Sequence, residues 1–159
     1  MQDILKLLER DARLTPAQIA ERTGKPEQEV RETIERAEKQ GIIRNYQALI
    51  DWDRAGSEAV RAFIEVKVAP ERGIGFDAVA RRIMGFPEVD ALYLISGDYD
   101  LHVVVEGASM KEVAYFVAEK LAPLDHVQST VTHFLLKSYK VSGHSFEAEE
   151  EVKRLPAAP

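Results

Sequence analysis

The spacing of the apolar residues changes repeatedly between residues 61 and 141, and these changes constrain the fold more than any other feature. A period of two, typical of a half-buried strand, gives way to a helical period near 3.6. The first strand pattern lies at Ala62, Ile64, Val66 and Val68, and the first helical pattern at Phe76, Val79, Ala80 and Ile83.

Four more segments continue the alternation. Two strands are expected over residues 89–95 and 101–105, a second helix on Met110, Val113, Val117 and Leu121, and one long last strand over residues 127–141. The order βαββαβ predicts an α+β, ferredoxin-like (ACT-like) domain, with a four-stranded antiparallel sheet and two helices on one face.

The other face of the predicted sheet has no helix to cover it. We expect Phe63, Leu92, Leu94 and Phe134 on that face. Because a large exposed apolar surface usually marks a contact with another protein surface, the pattern predicts that two copies dimerise there.

Residues 1–45 show the pattern of three short helices. Ile4, Leu7 and Leu8 give the first an apolar stripe. Thr15-Pro16-Ala17-Gln18 predicts the start of the second, with Thr15 as N-cap, Pro16 at the first helical position and Gln18 completing a capping box. Gly24 is expected to end it, since glycine accepts the left-handed C-cap conformation.

The third helix is expected from Pro26 to Gly41, with a buried stripe of Val30, Ile34 and Ala37. A short helix, a turn containing glycine and a longer amphipathic helix form a helix-turn-helix. The predicted domains are a winged helix-turn-helix over residues 1–50, whose residues 42–50 form a wing and connecting strand, a linker over 51–60, the βαββαβ domain over 61–141 and an acidic tail over 142–159.

Composition narrows the classes of function. The absence of cysteine excludes disulfides and thiolate metal or redox sites, and it favours the cytoplasm. There is no signal-peptide pattern, and no apolar run approaches the roughly 18 residues that a membrane span needs. The four histidines lack metal-motif spacing, and no catalytic triad or phosphate loop is present. We expect a binding protein without metal, cofactor or catalysis.

The net charge of −6 argues against nucleic-acid binding, because phosphate contacts favour basic surfaces. The distribution of charge along the chain weakens this argument. Residues 1–50 carry nine basic and nine acidic side chains, so the acidic excess lies after residue 50. A neutral N-terminal domain can still place its cations on one face.

The loop Ser96-Gly97-Asp98-Tyr99-Asp100 carries more chemistry than a hairpin requires. A tight hairpin needs only a glycine and an Asp or Asn at its bend. This loop adds a second carboxylate and a phenol around a glycine whose backbone can be closely approached. It is therefore a candidate ligand site, with an ordinary hairpin bearing solubilising acids as the alternative.

The chain resembles the Lrp/AsnC family of transcription regulators over about residues 2–141. Five pieces in the same order carry the resemblance. They are Gly41-Ile42-Ile43-Arg44-Asn45-Tyr46-Gln47-Ala48, Pro87-Glu88-Val89, Ser96-Gly97-Asp98-Tyr99-Asp100-Leu101, Val127-Gln128-Ser129-Thr130-Val131-Thr132 and Leu136-Lys137-Ser138-Tyr139-Lys140.

The resemblance implies a domain that dimerises, dimers that assemble further, commonly into an octameric ring, and an amino acid or related effector bound between dimers against the loop. A zwitterion needs donors for its carboxylate and acceptors for its ammonium, which backbone N–H groups near Gly97 and the carboxylate of Asp98 or Asp100 can supply. The candidate effector-binding residues are Ser96, Gly97, Asp98, Tyr99, Asp100, Met110, Thr132 and His133.

The candidate DNA-binding residues are Lys25, Gln28, Arg31, Arg36 and Arg44. The third helix departs from the family pattern, because Glu32, Thr33 and Glu35 replace part of a basic run. Carboxylates near phosphates cost affinity, although they can accept from cytosine. The alternative for these cations is pairing with acids four residues away, with Glu32–Arg36 and Glu35–Lys39 as expected pairs.

Two other functions remain open from the sequence. One is a metabolite-sensing oligomer with a degenerate DNA-binding domain, which the acidic third helix suggests. The other is enzymatic, since sirohaem decarboxylases resemble the same two-domain plan and use His and basic residues. Here His102, His133 and Arg61 would take that role, although a carboxylate-rich loop suits an acidic porphyrin poorly.

Overall fold

The structure, a computed structural model, describes residues 1–69 and 75–147. Internal contacts divide the chain into two compact units, residues 1–50 and residues 51–159. We call the first the head and the second the sheet domain. Among the described residues, no helix combines the length and the apolar character that crossing a membrane requires.

The head contains three helices, α1 (Gln2–Arg10), α2 (Pro16–Thr23) and α3 (Glu27–Lys39). The predicted capping box is confirmed, because Gln18 N–H donates to Thr15 Oγ1 and Thr15 N–H donates to Gln18 Oε1. Gly24 ends α2 in the left-handed region, at φ +68°. The predicted C-cap is thus also confirmed.

The core of the head packs the three helices around a few aliphatic side chains. These are Ile4, Leu8, Leu14, Ile19 and Val30, with Leu7, Ala20, Ile34 and Ile43 packed against them. The predicted buried stripe of α3 needs one correction, since Thr33 is buried and Ile34 only half-buried. The methyl group of threonine lets it occupy this position.

The connecting strand predicted within residues 42–50 is wrong, since all of these residues are described and none is in a strand. The N–H groups of Ile42 and Ile43 both donate back to the Ala37 carbonyl, which closes the end of α3. A strand needs a neighbouring strand for its backbone groups, and residues 44–50 have none among the described residues.

The sheet domain confirms the βαββαβ order. Its elements are β1 (Val60–Val68), α4 (Gly75–Met84), β2 (Val89–Leu94), β3 (Leu101–Gly107), α5 (Met110–Phe116) and β4 (Val127–Phe134). The strands lie in the order β2-β3-β1-β4, and every neighbouring pair is antiparallel. Both helices pack on one face, over the fully buried Ala62, Ile64 and Val66 of β1.

A π-helical turn over Val117–Leu121 continues α5. The Ala122 N–H donates to the Val117 carbonyl, five residues back, over 2.8 Å. As a result Phe116 and Leu121 are buried, whereas Val117, which the sequence placed on the inner face, is only half-buried.

The face of the sheet without helices, which we call the open face, differs from the predicted one. Leu92 pairs with Val103, Leu94 with Leu101 and Phe134 with Ala62, so all three point to the helix side. Of the four predicted residues only Phe63 lies on the open face. Its companions there are Tyr93, His102, Val104, Val131 and His133.

The predicted long strand over residues 127–141 is also wrong, because β4 ends at Phe134. Leu135 N–H still donates to the Arg61 carbonyl, but β1 begins at Val60 and offers no further partner. The chain instead forms a small hairpin of β5 (Lys140–Val141) and β6 (His144–Ser145). The predicted tail therefore begins with ordered structure, and its residues 148–159 lie outside the described residues.

Residues 51–57 of the predicted linker form a compact hydrogen-bonded turn. Ala55 N–H donates to Asp51, Gly56 N–H to Asp53 and Ser57 N–H to Trp52, each to the backbone carbonyl. The β1 strand then starts at Val60.

Candidate DNA-binding and effector-binding sites

The exposed face of α3 lies opposite its buried residues Val30, Thr33 and Ala37. With 3.6 residues per turn, Gln28 and Glu32 lie near the middle of that face. Arg31 and Arg36 flank them on either side, and all four side chains are exposed. The structure therefore brings the predicted DNA-binding residues of α3 onto one surface.

Internal pairs already occupy three of the five predicted DNA-binding residues. Arg31 Nη2 lies 2.5 Å from Glu27 Oε1, and Lys25 Nζ forms a close ion pair with Glu29. Gln28 Nε2 donates to Glu32 Oε1 over 2.9 Å. The two pairs expected from the sequence, Glu32–Arg36 and Glu35–Lys39, do not form within the described part of the chain.

Arg36 and Arg44 differ from the other candidates. Neither forms an ion pair with the residues that the structure describes. Arg36 is exposed on the third turn of α3, and the exposed Arg44 follows the helix, with its guanidinium beside Gly41. Both cations are thus available to phosphates without breaking an internal bond.

Two ionisable groups of the head have shifted pKa values. The hydrogen bond from Lys25, together with its charge, holds the pKa of Glu29 below its usual 4.5. Burial raises the pKa of Tyr46 above 10, and its hydrogen bond to Glu38 Oε1, 2.8 Å long, acts in the same direction. The Tyr46 bond ties the segment after α3 back to that helix.

In the sheet domain, Asp100 anchors the loop between β2 and β3 to the central strand. Its N–H donates to the Val66 carbonyl (3.1 Å), and its carbonyl accepts from Ile95 N–H (2.9 Å). Its carboxylate Oδ2 accepts from Val68 N–H over 2.8 Å, beyond the last residue of β1 that pairs with β3. The Asp100 side chain therefore replaces a missing sheet hydrogen bond. Nothing in the sequence indicates Val68, since its part is played by a backbone N–H.

Tyr99 belongs to an aromatic group on the open face. Its hydroxyl lies 3.1 Å from His102 Nδ1, and the Phe63 ring stacks on the His102 ring with centroids 5.6 Å apart. Tyr93 contacts the same imidazole from β2. The loop thus places its phenol on the sheet surface.

The tip of the loop remains accessible. Ser96, Gly97 and Asp98 are exposed, and Gly97 has a φ of +150°, which glycine adopts without strain. A Cβ on Gly97 would meet no atom within 4 Å, so only its backbone conformation requires glycine. The N–H groups of residues 97–99 and the Asp98 carboxylate form no hydrogen bond within the described residues. These groups can accommodate the two ends of a zwitterion.

The other three predicted effector-binding residues do not lie beside this tip in one chain. Met110 follows the far end of β3, a seven-residue strand that spans about 20 Å at about 3.3 Å per residue. Thr132 pairs with Ile64 and points to the helix side, whereas His133 lies on the open face, 3.1 Å from Glu65 Oε1. One protomer therefore assembles five of the eight predicted residues.

A three-helix head with an exposed helix and a separate βαββαβ domain with an exposed loop define a two-domain DNA-binding regulator. Comparison with known families agrees. A model of winged helix-turn-helix DNA-binding domains matches residues 2–44, and a model of the Lrp/AsnC ligand binding domain matches residues 61–144. The chain belongs to the Lrp/AsnC family of transcription regulators.

The chain is similar to HTH-type transcriptional regulator YugG of Bacillus subtilis, with 48% identity over 99% of this chain and 95% of that protein. It is 37% identical to the HTH-type transcriptional regulator PH0140 of Pyrococcus horikoshii, over 89% of this chain and 87% of that protein. Among solved structures, Escherichia coli AsnC shares the fold, with a TM-score of 0.67, 21% identity and coverage of 88% and 92%. The Neisseria meningitidis regulator NMB0573 in complex with L-Met has a TM-score of 0.70, 26% identity and coverage of 91% and 90%.

Asp100→Ala should lower the free energy of unfolding by about 1–3 kcal/mol, because it leaves the shielded Val68 N–H without its charged acceptor. Asp100→Asn keeps an acceptor oxygen and should recover most of the loss. Urea denaturation of the full chain measures both values. Asp98→Ala, at an exposed position, is the control and should change stability by about 0.5 kcal/mol or less. Equal losses for Asp98→Ala and Asp100→Ala would contradict the anchoring role.

The Glu29–Lys25 pair should make the head sensitive to acid. Since the pKa of folded Glu29 lies below 4.5, the pair stabilises the folded state above about pH 4.5, and the stabilisation is lost as the pH falls through the lowered pKa. Carboxyl NMR titration of Glu29 should show the low pKa, and Lys25→Met should raise it. An unchanged Glu29 titration in Lys25→Met would refute the pairing.

Proposed function

We propose that this regulator binds a small zwitterion, in the class of amino acids, at the tip of the β2–β3 loop, and that the bound effector alters DNA binding by the head. The observation that carries the proposal is the set of free groups at the tip. The N–H groups of residues 97–99 can donate to a carboxylate, and Asp98 can accept from an ammonium group. The complex of the Neisseria regulator with L-Met supports an amino acid as the ligand class.

Within this site the two carboxylates have separate roles. Asp98, exposed at the tip, contacts the effector, whereas Asp100 holds the loop in place through Val68. Ser96 and Gly97 complete the exposed rim. Tyr99, bonded to His102, connects the site to the open face of the sheet.

On the head, Arg36 and Arg44 contact phosphates directly, and Lys25 and Arg31 do so when their internal pairs open. Gln28, in the middle of the exposed face of α3, lies nearest the base edges in the major groove. Because few cations are free, one head binds weakly. Useful affinity then comes from several heads in one oligomer, through a high effective concentration.

The oligomer forms first through the open face, which carries Phe63, Tyr93, Val104 and Val131 without a second layer. Dimers then associate further, as an octamer. Support for this step comes from Met110, Thr132 and His133, which lie away from the loop in one chain and so could complete the effector site only from a neighbouring protomer. The complex acts in the cytoplasm, where its DNA lies, with no catalysis and no cofactor.

The geometry does not favour the enzymatic alternative. Arg61 lies 3.5 Å from Asp90 and 3.4 Å from Glu106, so carboxylates already neutralise the cation that a tetrapyrrole would need. His102 forms a hydrogen bond with Tyr99, and His133 forms one with Glu65. The degenerate-head alternative gains support from the ion pairs that hold Lys25 and Arg31 at the start of α3. Measurement of DNA binding by the wild-type chain tests this alternative.

A thermal-shift screen of the twenty amino acids should find at least one that raises the melting temperature, because a ligand that binds only the folded state stabilises it. Asp98→Ala should abolish that shift while its unliganded melting temperature stays at the wild-type value. The same amino acid should change the mobility shift of the chain's own upstream DNA. An unchanged ligand shift in Asp98→Ala would remove the proposed site.

Val131→Arg should convert the dimer to a monomer at micromolar concentration. Val131 is 49% exposed on the open face and lies opposite Glu65, so arginine is tolerated in the monomer but would be buried in a dimer. Met84→Arg, at a position 60% exposed on α4, is the control and should leave the dimer intact. Light scattering measures the mass; a monomeric wild type, or a dimeric Val131→Arg, contradicts dimerisation through this face.

A further inference from the structure

Helix α3, which carries Gln28, the residue that we propose lies nearest the base edges, is itself acidic. Within α3, five carboxylates (Glu27, Glu29, Glu32, Glu35 and Glu38) stand against three cations (Arg31, Arg36 and Lys39). A surface that meets the phosphate backbone gains affinity from its cations and loses it to carboxylates. The charge of α3 alone therefore opposes association with DNA.

The acids are also arranged as specific partners. Glu27 holds Arg31, Glu29 holds Lys25 and Glu32 holds the amide of Gln28, each through a bond between residues four apart. These three pairs lie in the first two turns of α3 and at Lys25, two residues before the helix begins. In a helix-turn-helix, the first turns of the second helix of the motif, which is α3 here, contact the base edges. The predicted DNA-binding side chains in this part, Lys25, Gln28 and Arg31, are each bonded to a carboxylate.

We propose that Glu27 and Glu29, aided by Glu32, form a carboxylate screen that determines specificity by suppressing binding to non-operator DNA. The inference rests on the proposed DNA binding by the head. Binding becomes an exchange, in which a phosphate must displace Glu27 from Arg31 or Glu29 from Lys25. The displaced carboxylate then lies beside the phosphates and retains a salt cation there.

The strength of the pairs suits this role. All four ion-pairing side chains are partly exposed, from 31% for Lys25 to 53% for Arg31. An exposed pair of this kind changes an equilibrium by at most about fivefold. Contacts with the DNA phosphate backbone alone offset this loss of affinity poorly. An operator adds base-edge contacts, which offset it. The screen thus lowers non-specific binding more than operator binding.

The test compares full-length variants on a random-sequence DNA duplex, with affinity measured by fluorescence anisotropy across a series of salt concentrations. Glu27→Gln and Glu29→Gln remove the carboxylate that holds Arg31 or Lys25. Glu35→Gln is the matched control, since it makes the same charge change on the same helix and Glu35 pairs with none of the described residues. Circular dichroism verifies that each variant is folded.

Glu27→Gln and Glu29→Gln should each bind the random duplex about three- to fivefold more tightly at low salt, and each should steepen the dependence of log K on log salt by about 0.9. Glu35→Gln should shift affinity without steepening that dependence. Equal slopes in all three variants would overturn the screen, even if the wild type binds its own upstream DNA. If the wild type and every variant bind no duplex at low salt, both the screen and the proposed DNA binding are refuted.

Discussion

The hydrogen bonding of β1 on both of its edges is the interaction on which the sheet domain depends. Ala62, Ile64 and Val66 are fully buried on its inner side, while β3 and β4 take their registers from its two edges. The Val66 carbonyl and the Val68 N–H then extend this bonding to Asp100. The loop that carries the candidate effector-binding groups is thereby fixed to the most buried strand of the domain, and only its tip is left accessible.

The local features of the fold could be predicted from the sequence because they depend on neighbouring residues. The capping box at Thr15 and the left-handed Gly24 follow from residue type and spacing alone. Strand register is a pairing between distant segments, and the sequence does not encode it locally. Leu92 and Leu94 were rightly assigned to one face, but only their pairing with Val103 and Leu101 shows that it is the helix side.

In the candidate sites, too, local features could be predicted from the sequence and contacts between distant residues could not. The positions of Ser96, Gly97 and Asp98 at an exposed tip follow from the hairpin pattern, whereas the bond from Val68 to Asp100 joins residues 32 apart in sequence. In α3 the side-chain pairs could not be predicted for a different reason, because one residue has two local partners to choose from. Glu32 has Arg36 four residues ahead and Gln28 four residues behind, and it bonds to Gln28. Both pairs suit a helix, so spacing could not decide between them.

The π-helical turn after α5 has a consequence for how this domain can change in length. Phe116 and Leu121 are five residues apart, and in a continuous α-helix they would point about 140° away from each other. The wider turn brings both into the core. Loss of one residue between them would restore α-helical bonding and leave both side chains facing inward. A deletion within Val113–Phe116 would instead rotate one buried side chain against the other, so natural length variation in this helix should concentrate at the π turn.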